Sequence, residues 1–340
     1  MKLKKQFSDF YDEIRIKEES EPLKEKREIL ESDIKDRFPD IMGSHDINLK
    51  KSDIEIFDQG SYKYHTTIKS SVIDRDVAVM IPLDKNKYKD PRKIKRYLRD
   101  AINYVTARTV KIKEPCVNVT YYENGEEWMH IDLPLYAKYD GKVYLARGKE
   151  FSDNYQWEIA DPKGLNDDLC NKINGNDQLR RIIRYIKKWK NGKYANSTLD
   201  HEVPPSIGLT YLACDCFTSV STSEGDDDLT SLQLTMAAIK EKFSLTYEND
   251  VLVKADISRY LPVEPYSDIF EKMKDSSDNY GITFYNRLSR AVQNLTDAVN
   301  VESEHDAGVY VQKVFGSEFT VPPKQTSSSS ASNKKEHSFG

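Results

Sequence analysis

The chain has 340 residues, 31% of them charged, and a formal net charge of −5, enough for two domains or one large α/β unit with a sizeable core. The acidic balance argues against a protein that lives on long nucleic acid, so any bound anion must be captured by a local site. No apolar run approaches the roughly 20 residues of a membrane span, and the N-terminus lacks an apolar signal core; with four cysteines and no CxxC pairing, a reduced, soluble, cytoplasmic protein is expected.

Phe7, Phe10, Tyr11 and Ile14, then Leu30, Ile34, Phe38 and Ile41, recur at helical spacing. They predict two helices interrupted near Glu21-Pro22. From Ile54 the pattern turns to strand and turn, ending in the apolar "VAVMIPL". Asp90-Pro91 caps and starts a helix with Ile94, Leu98, Ala101, Ile102 and Val105 on one face. Next, "PCVNVTYY" and "EEWMHIDLPLY" read as strands joined through Asn124-Gly125, a pair suited to a type I′ turn.

After Tyr144 the chain reads as mostly helical. "DQLRRIIRYIKKWK" places Leu179, Ile182, Ile183, Ile186 and Trp189 on one face, and Arg180, Arg184 and Lys187 on the other. Further helices are expected over Ser206–Ser219, Asp228–Phe243, Ser267–Lys274 and Ile282–Val301. Cys214 and Cys216 fall in the first of these and read as buried thiols, not a zinc site. Residues 221–228, "STSEGDDD", read as an exposed acidic loop, and the Ser-rich end as a disordered tail. The order predicts an α+β fold: residues 1–160 form a strand-rich core with its N-terminal helix, 161–325 a helical lobe and 326–340 the tail.

Two like charges stand close together in "QGSYKYHTTIKSSVIDRDVAVMI". Strand side chains alternate, so Asp74 and Asp76 share a face, about 7 Å apart at Cα, while Arg75 faces away. Asp132 is a third carboxylate in an otherwise apolar strand. If that strand neighbours the first, three carboxylates could hold two divalent cations about 3.5–4 Å apart, an arrangement used for in-line phosphoryl transfer. Oxygen ligands and phosphate substrates favour Mg²⁺, with Mn²⁺ as the alternative. Gly60 permits a tight turn, and the amide and hydroxyl of Ser61 can cradle phosphate oxygens.

These residues resemble the hG[GS]…Dh[DE]h signature of the DNA polymerase β-like nucleotidyltransferases. The match is closer to one branch, the bacterial cGAS/DncV-like nucleotidyltransferases or CD-NTases. "QGSYKYHT", "HIDLPLY", "YLARGKEFSDNYQWEIADPKGL", "RRIIRYIKKWK", "PPSIGLTYL" and "VFGSEFTVPP" resemble its segments in order. The resemblance implies a polymerase β-like core with a mixed sheet and a C-terminal helical lobe. It implies Asp74, Asp76 and Asp132 as metal ligands and catalytic groups, and Gln59, Gly60 and Ser61 on the donor triphosphate. Tyr64 would stack on a base, and Lys187 (or Lys188, its neighbour) and Ser206 would grip phosphates. Arg75 departs from the family pattern, which has an apolar residue between the aspartates.

The implied activity is template-independent synthesis of a cyclic di- or trinucleotide from NTPs, releasing pyrophosphate, as a signal in anti-phage (CBASS) defence. Two other readings remain: a template-free transferase adding nucleotides to RNA or protein, and an inactive nucleotide-binding homologue. Some members resemble ubiquitin-like substrates of E1/E2-like partners, which makes Gly340 a candidate conjugation point. No long nucleic acid and no membrane are expected as partners.

Overall fold

The computed structural model describes residues 1–16, 21–70, 72–199, 201–274 and 279–324. Two helices come first, α1 (Lys4–Ile14) and α2 (Glu21–Gly43), followed by strand β1 (Glu55–Gln59) and the one-turn helix α3 (Gly60–Lys63). Strand β2 (Ile73–Pro82) leads to helix α4 (Pro91–Ile102). The Asp90 carboxylate accepts from the Arg92 amide at 2.9 Å, and Pro91 occupies a position that needs no donor, so the cap and start match the sequence. Six strands follow: β3 (Arg108–Ile112), β4 (Val117–Glu123), β5 (Glu126–Leu133), β6 (Leu135–Tyr139), β7 (Lys142–Arg147) and β8 (Gln156–Ala160). Asn124 and Gly125 both have positive φ, 52° and 85°, as a type I′ turn requires.

The sheet is organised around β2. β1 pairs with it antiparallel on one side; on the other, β5 and then β6 run parallel to it with one shared register. β5 and β6 thus act as a single strand interrupted at Pro134, which has no N–H to give to the ladder. Beyond that strand the sheet splits into two antiparallel wings, β4–β3 and β7–β8. Val77, Val79 and Ile81 of β2 face a core built with Leu30, Ile34 and Phe38 of α2 and Leu98 and Ile102 of α4. The opposite face carries the carboxylates, then a small apolar cluster of Ala78, Met80 and Tyr136.

The helical lobe contains α5 (Pro162–Ile173), α6 (Asp177–Lys193) and α7 (Ser206–Cys216). A two-stranded hairpin follows, β9 (Ser221–Thr222) and β10 (Gly225–Asp226), and then α8 (Asp228–Lys240). Another hairpin, β11 (Ser244–Glu248) and β12 (Val251–Asp256), precedes α9 (Glu271–Lys274), α10 (Tyr280–Asn300) and α11 (Glu304–Phe315). Ile182, Ile186 and Trp189 of α6 pack with Phe284 and Leu288 of α10 and with Leu232 of α8. Although α1 precedes the sheet in the chain, its Phe7, Phe10 and Ile14 are built into this helical cluster. Among the described residues no helix is long and apolar enough to cross a membrane.

Several expectations change. Residues 221–226 are exposed, as expected, but form the β9–β10 hairpin instead of an irregular loop, and Asp228 is buried: Arg181 pairs with Asp226 at 2.8 Å and with Asp228 at 2.6 Å. α7 stops at Cys216 and α9 begins at Glu271, each shorter than expected. The strands β8, β11 and β12 and the helices α5 and α11 add to the predicted set. Cys216 is buried as expected, Cys214 is only half-buried, and all four thiols are free. The Ser-rich tail and Gly340 lie outside the described residues.

Candidate active site

Strand pairing aligns one residue from each of five strands in a row. Gln59 of β1 lies opposite Asp76 of β2, Asp76 opposite Asp132 of β5, Asp132 opposite Asn118 of β4, and Asn118 opposite Lys111 of β3. Asp74 is one step along on the same face, opposite His130, whose Nδ1 lies 3.3 Å from its carboxylate. Register partners in a sheet share a face. The three aspartates therefore meet on one side of the sheet, the side not filled by α2 and α4.

The Gly60–Ser61 turn closes on Asp76 from above. Gly60 has φ +67°, and a Cβ there would stand 2.2 Å from the Asp76 Oδ2. Glycine is required twice, for its backbone conformation and for the close approach. Ser61 Oγ lies 3.1 Å from Thr67 Oγ1, and Gln59 Oε1 accepts from the Tyr136 hydroxyl at 3.2 Å. Arg75 points to the opposite face, as alternation predicts, and is buried there. Its guanidinium pairs with Asp58 at 2.8 Å, donates to the Leu23 carbonyl at 3.2 Å and lies 3.9 Å from the centre of the Tyr62 ring. The departure from the resembled pattern at this position is thus absorbed as a tie between β2, β1, the start of α2 and the Gly-Ser turn.

From the helical lobe, α6 reaches across. Lys187 is buried and donates to the Thr66 carbonyl at 3.2 Å and to Thr66 Oγ1 at 3.0 Å, just after the Gly-Ser turn. Burial, with Lys190 and Arg184 nearby, pushes its ammonium down to about 7. Lys188 turns elsewhere and pairs with Glu318 at 2.6 Å, so Lys187 is the one that meets the cleft. Tyr64 is buried and its hydroxyl donates to Asn166 Oδ1 of α5 at 3.2 Å. Gln59, Gly60, Ser61, Tyr64, Asp74, Asp76, Lys187 and Ser206 all line one cavity of about 590 Å³ between the sheet and the helical lobe. That size suits a small-molecule site. Asp132 adjoins Asp76 but is not part of the lining.

Burial and then the charges of Asp132 and Asp74 push the Asp76 carboxyl up to about 7. A cation there would relieve that repulsion, and an all-oxygen donor set fits a hard divalent ion. Among the described residues no group of three or more His, Cys, Asp or Glu is gathered closely enough to hold a metal ion. The Asp132 carboxylate accepts from Asn118 Nδ2 at 2.6 Å and has Lys113 Nζ at 3.9 Å.

The structure adds residues that the sequence reading passed over. Lys190, one turn after Lys187, lines the cavity and donates to Ser206 Oγ at 2.7 Å; its i, i+3 spacing from Lys187 was the available signal. Asn166 and Asn118 are buried amides. Asn118 was visible only as a polar residue inside "VNV".

Comparison with known proteins agrees with this geometry. The sequence model of the family described as "Cyclic GMP-AMP synthase DncV-like, nucleotidyltransferase domain" matches residues 54–136, from β1 through β2 and β5 into β6. A cyclic GMP-AMP synthase of Escherichia albertii is 31% identical over 173 residues, covering 47% of this chain and 36% of that protein. The match therefore spans about a third of the curated relative's length. Among solved structures, GTP-bound Vibrio cholerae DncV superposes with a TM-score of 0.70 at 17% identity, covering 94% of this chain and 96% of the other. The same enzyme with the linear intermediate pppA(3′,5′)pG gives 0.68 at 16% identity, covering 94% and 96%. At such identity these likenesses establish the α+β fold with its helical lobe. Across the carboxylate strands, residues 54–136 match the DncV-like nucleotidyltransferase domain, and the chain as a whole shares the DncV fold.

Proposed function

We propose that the protein is a template-independent nucleotidyltransferase that joins NTPs into a cyclic di- or trinucleotide and releases pyrophosphate. The observation that carries this reading is the row Gln59–Asp76–Asp132, with Asp74 on the same face, under the Gly60–Ser61 turn. Asp74, Asp76 and Asp132 would hold divalent cations, Mg²⁺ first and Mn²⁺ as the alternative. Bound there, such ions supply acidification of the acceptor hydroxyl and neutralisation of charge on the leaving pyrophosphate.

The chain's own residues do the rest. Ser61 and the α3 amides hold the donor phosphates, with Gln59 beside them, and Tyr64 offers a ring to a base. Lys187 and Ser206 bring positive charge and a hydroxyl from the helical lobe. Asp132 orients the acceptor 3′- or 2′-hydroxyl and takes its proton. The hydroxyl oxygen bonds to the α-phosphorus as the α–β bridging bond breaks, and pyrophosphate leaves with that electron pair. A second transfer within the same cleft closes the ring. The reading divides the chain into a catalytic core over residues 1–160, with α1 packed on the lobe, and a lobe over 161–325 that closes on the core.

The test is incubation with labelled NTPs and Mg²⁺ in the absence of RNA. Small phosphatase-resistant products and released pyrophosphate are expected from the wild type, and neither from Asp74→Ala/Asp76→Ala, whose melting curve should stay cooperative. Wild-type turnover by the double variant overturns the assignment, and label retained on added RNA or on protein favours the transferase alternative. The proposed role in anti-phage signalling rests on the resemblance to the CD-NTases. It predicts that a bacterial host protected from phage by this protein and its neighbours loses protection with the same double substitution.

A further inference from the structure

A buried asparagine is out of place in "PCVNVTYY". Val117, Val119 and Tyr121 turn to the apolar core, so Asn118 and Thr120 share the opposite face with the carboxylates. Asn118 is 2% exposed and Thr120 4% exposed. Burying an amide without partners is costly, so its hydrogen bonds state its purpose. Asn118 Nδ2 donates to Asp132 Oδ1 at 2.6 Å, and Asn118 Oδ1 accepts from the Thr120 hydroxyl at 3.2 Å. This chain of donors fixes which way the amide points. In the flipped orientation the amide oxygen would face the Asp132 carboxylate, and the two would repel.

We propose that Asn118 is the positioning residue for Asp132: it pins one carboxylate oxygen and leaves the other to serve the acceptor hydroxyl and cation. The inference rests on the catalytic reading above. It concerns orientation, not binding of the donor nucleotide, because Asn118 is not among the residues lining the cavity. Thr120 supports it at one remove, holding the amide in the donating orientation. Lys113 Nζ, 3.9 Å away and half-exposed, stands beyond hydrogen-bond distance, and the Cys116 thiol that also faces Asp132 is a weaker donor than the amide.

Asn118→Leu keeps the shape of the side chain and removes the donor, and Thr120→Val removes only the supporting hydroxyl. Losses from such supporting groups are typically about 10–100-fold in activity or metal affinity. Expected for Asn118→Leu are a kcat reduced about 10–100-fold with the NTP KM unchanged, and Mn²⁺ affinity reduced about 10-fold by electron paramagnetic resonance titration with a non-hydrolysable NTP present. The melting temperature should stay within a few degrees of the wild type. Thr120→Val should shift the same quantities in the same direction by a smaller factor.

Unchanged kcat and Mn²⁺ affinity in Asn118→Leu overturn the proposal. So does a loss of activity that tracks a fall in melting temperature or a rise in KM, because that pattern marks a merely structural role. If Asn118→Leu does not fold, Thr120→Val alone decides between the same outcomes. An active wild type with an inactive Asp132→Asn variant and a normal Asn118→Leu variant sinks only this inference. A wild type that forms no product sinks the catalytic reading with it.

Discussion

At the residue scale, Gly60 shows how tightly the site is specified. Its φ of +67° and the 2.2 Å approach of Asp76 Oδ2 to a built Cβ act together. Gly60→Ala should cost about 1–3 kcal/mol in urea unfolding, from the left-handed backbone and the displaced carboxylate. Turnover should fall much further, because the turn and Asp76 cannot both keep their positions. An alanine variant with wild-type turnover would mean that the turn does not work against Asp76. Arg75 is the counterexample to reading function from every charge in a motif. It stands between two aspartates in sequence yet binds Asp58 and Tyr62 on the far face.

At the element scale, helices hold the strand ends by single long side chains. Lys95 of α4 is fully buried and donates to the carbonyls of Lys113, Glu114 and Gly148 at 2.5, 2.9 and 2.9 Å. It ties the β3–β4 turn to the end of β7, next to the strand that carries Asn118. Burial pushes its ammonium down to about 8, so it is charged at neutral pH with its three protons shared among three carbonyls. Lys95→Met should destabilise the protein by several kcal/mol, because the carbonyls are left without a donor. The pH dependence has a definite sign. With a folded pKa of about 8 against an ordinary 10.5, the unfolded chain binds more protons between these values. The stability difference between wild type and Lys95→Met should therefore rise with pH across that window. Urea midpoints for both proteins from pH 7 to 10.5 measure it, and a flat or falling difference refutes it.

At the scale of the whole molecule, the cavity exists only because two cores face each other. The sheet supplies Gln59, Asp74 and Asp76, α3 supplies Gly60, and the helical lobe supplies Lys187, Lys190 and Ser206. A nucleotide held by both should stabilise them jointly. At about 100 times its dissociation constant a ligand adds about 2.7 kcal/mol, so ATP or GTP should raise the melting temperature by several degrees. The part of the shift that depends on Mg²⁺ should vanish in Asp74→Ala/Asp76→Ala. No shift with any of the four NTPs would mean that the cleft does not bind nucleotides.

The local pattern of the chain was enough to determine the Asn124-Gly125 hairpin, the Asp90 cap, the shared face of Asp74 and Asp76 and the turn of Arg75 to the opposite face. Each depends on neighbours within a few positions, where backbone geometry leaves little choice. The strands β11 and β12 are legible too, in the alternation of "SLTYE" and "VLVKAD" about Asn249-Asp250, between two of the expected helices. The partner of Asp132 could not be read in this way. Counting back from the two-residue turn places Asp132 opposite Val117. An irregularity between Tyr121 and Tyr122, with Trp128 as the extra residue, shifts the register and brings Asn118 there instead. Likewise α6 periodicity placed Lys187 on a polar face, and only the docking of α6 against Thr66 buried it. Such outcomes depend on which surfaces meet across long stretches of chain, and packing of the folded molecule alone selects them.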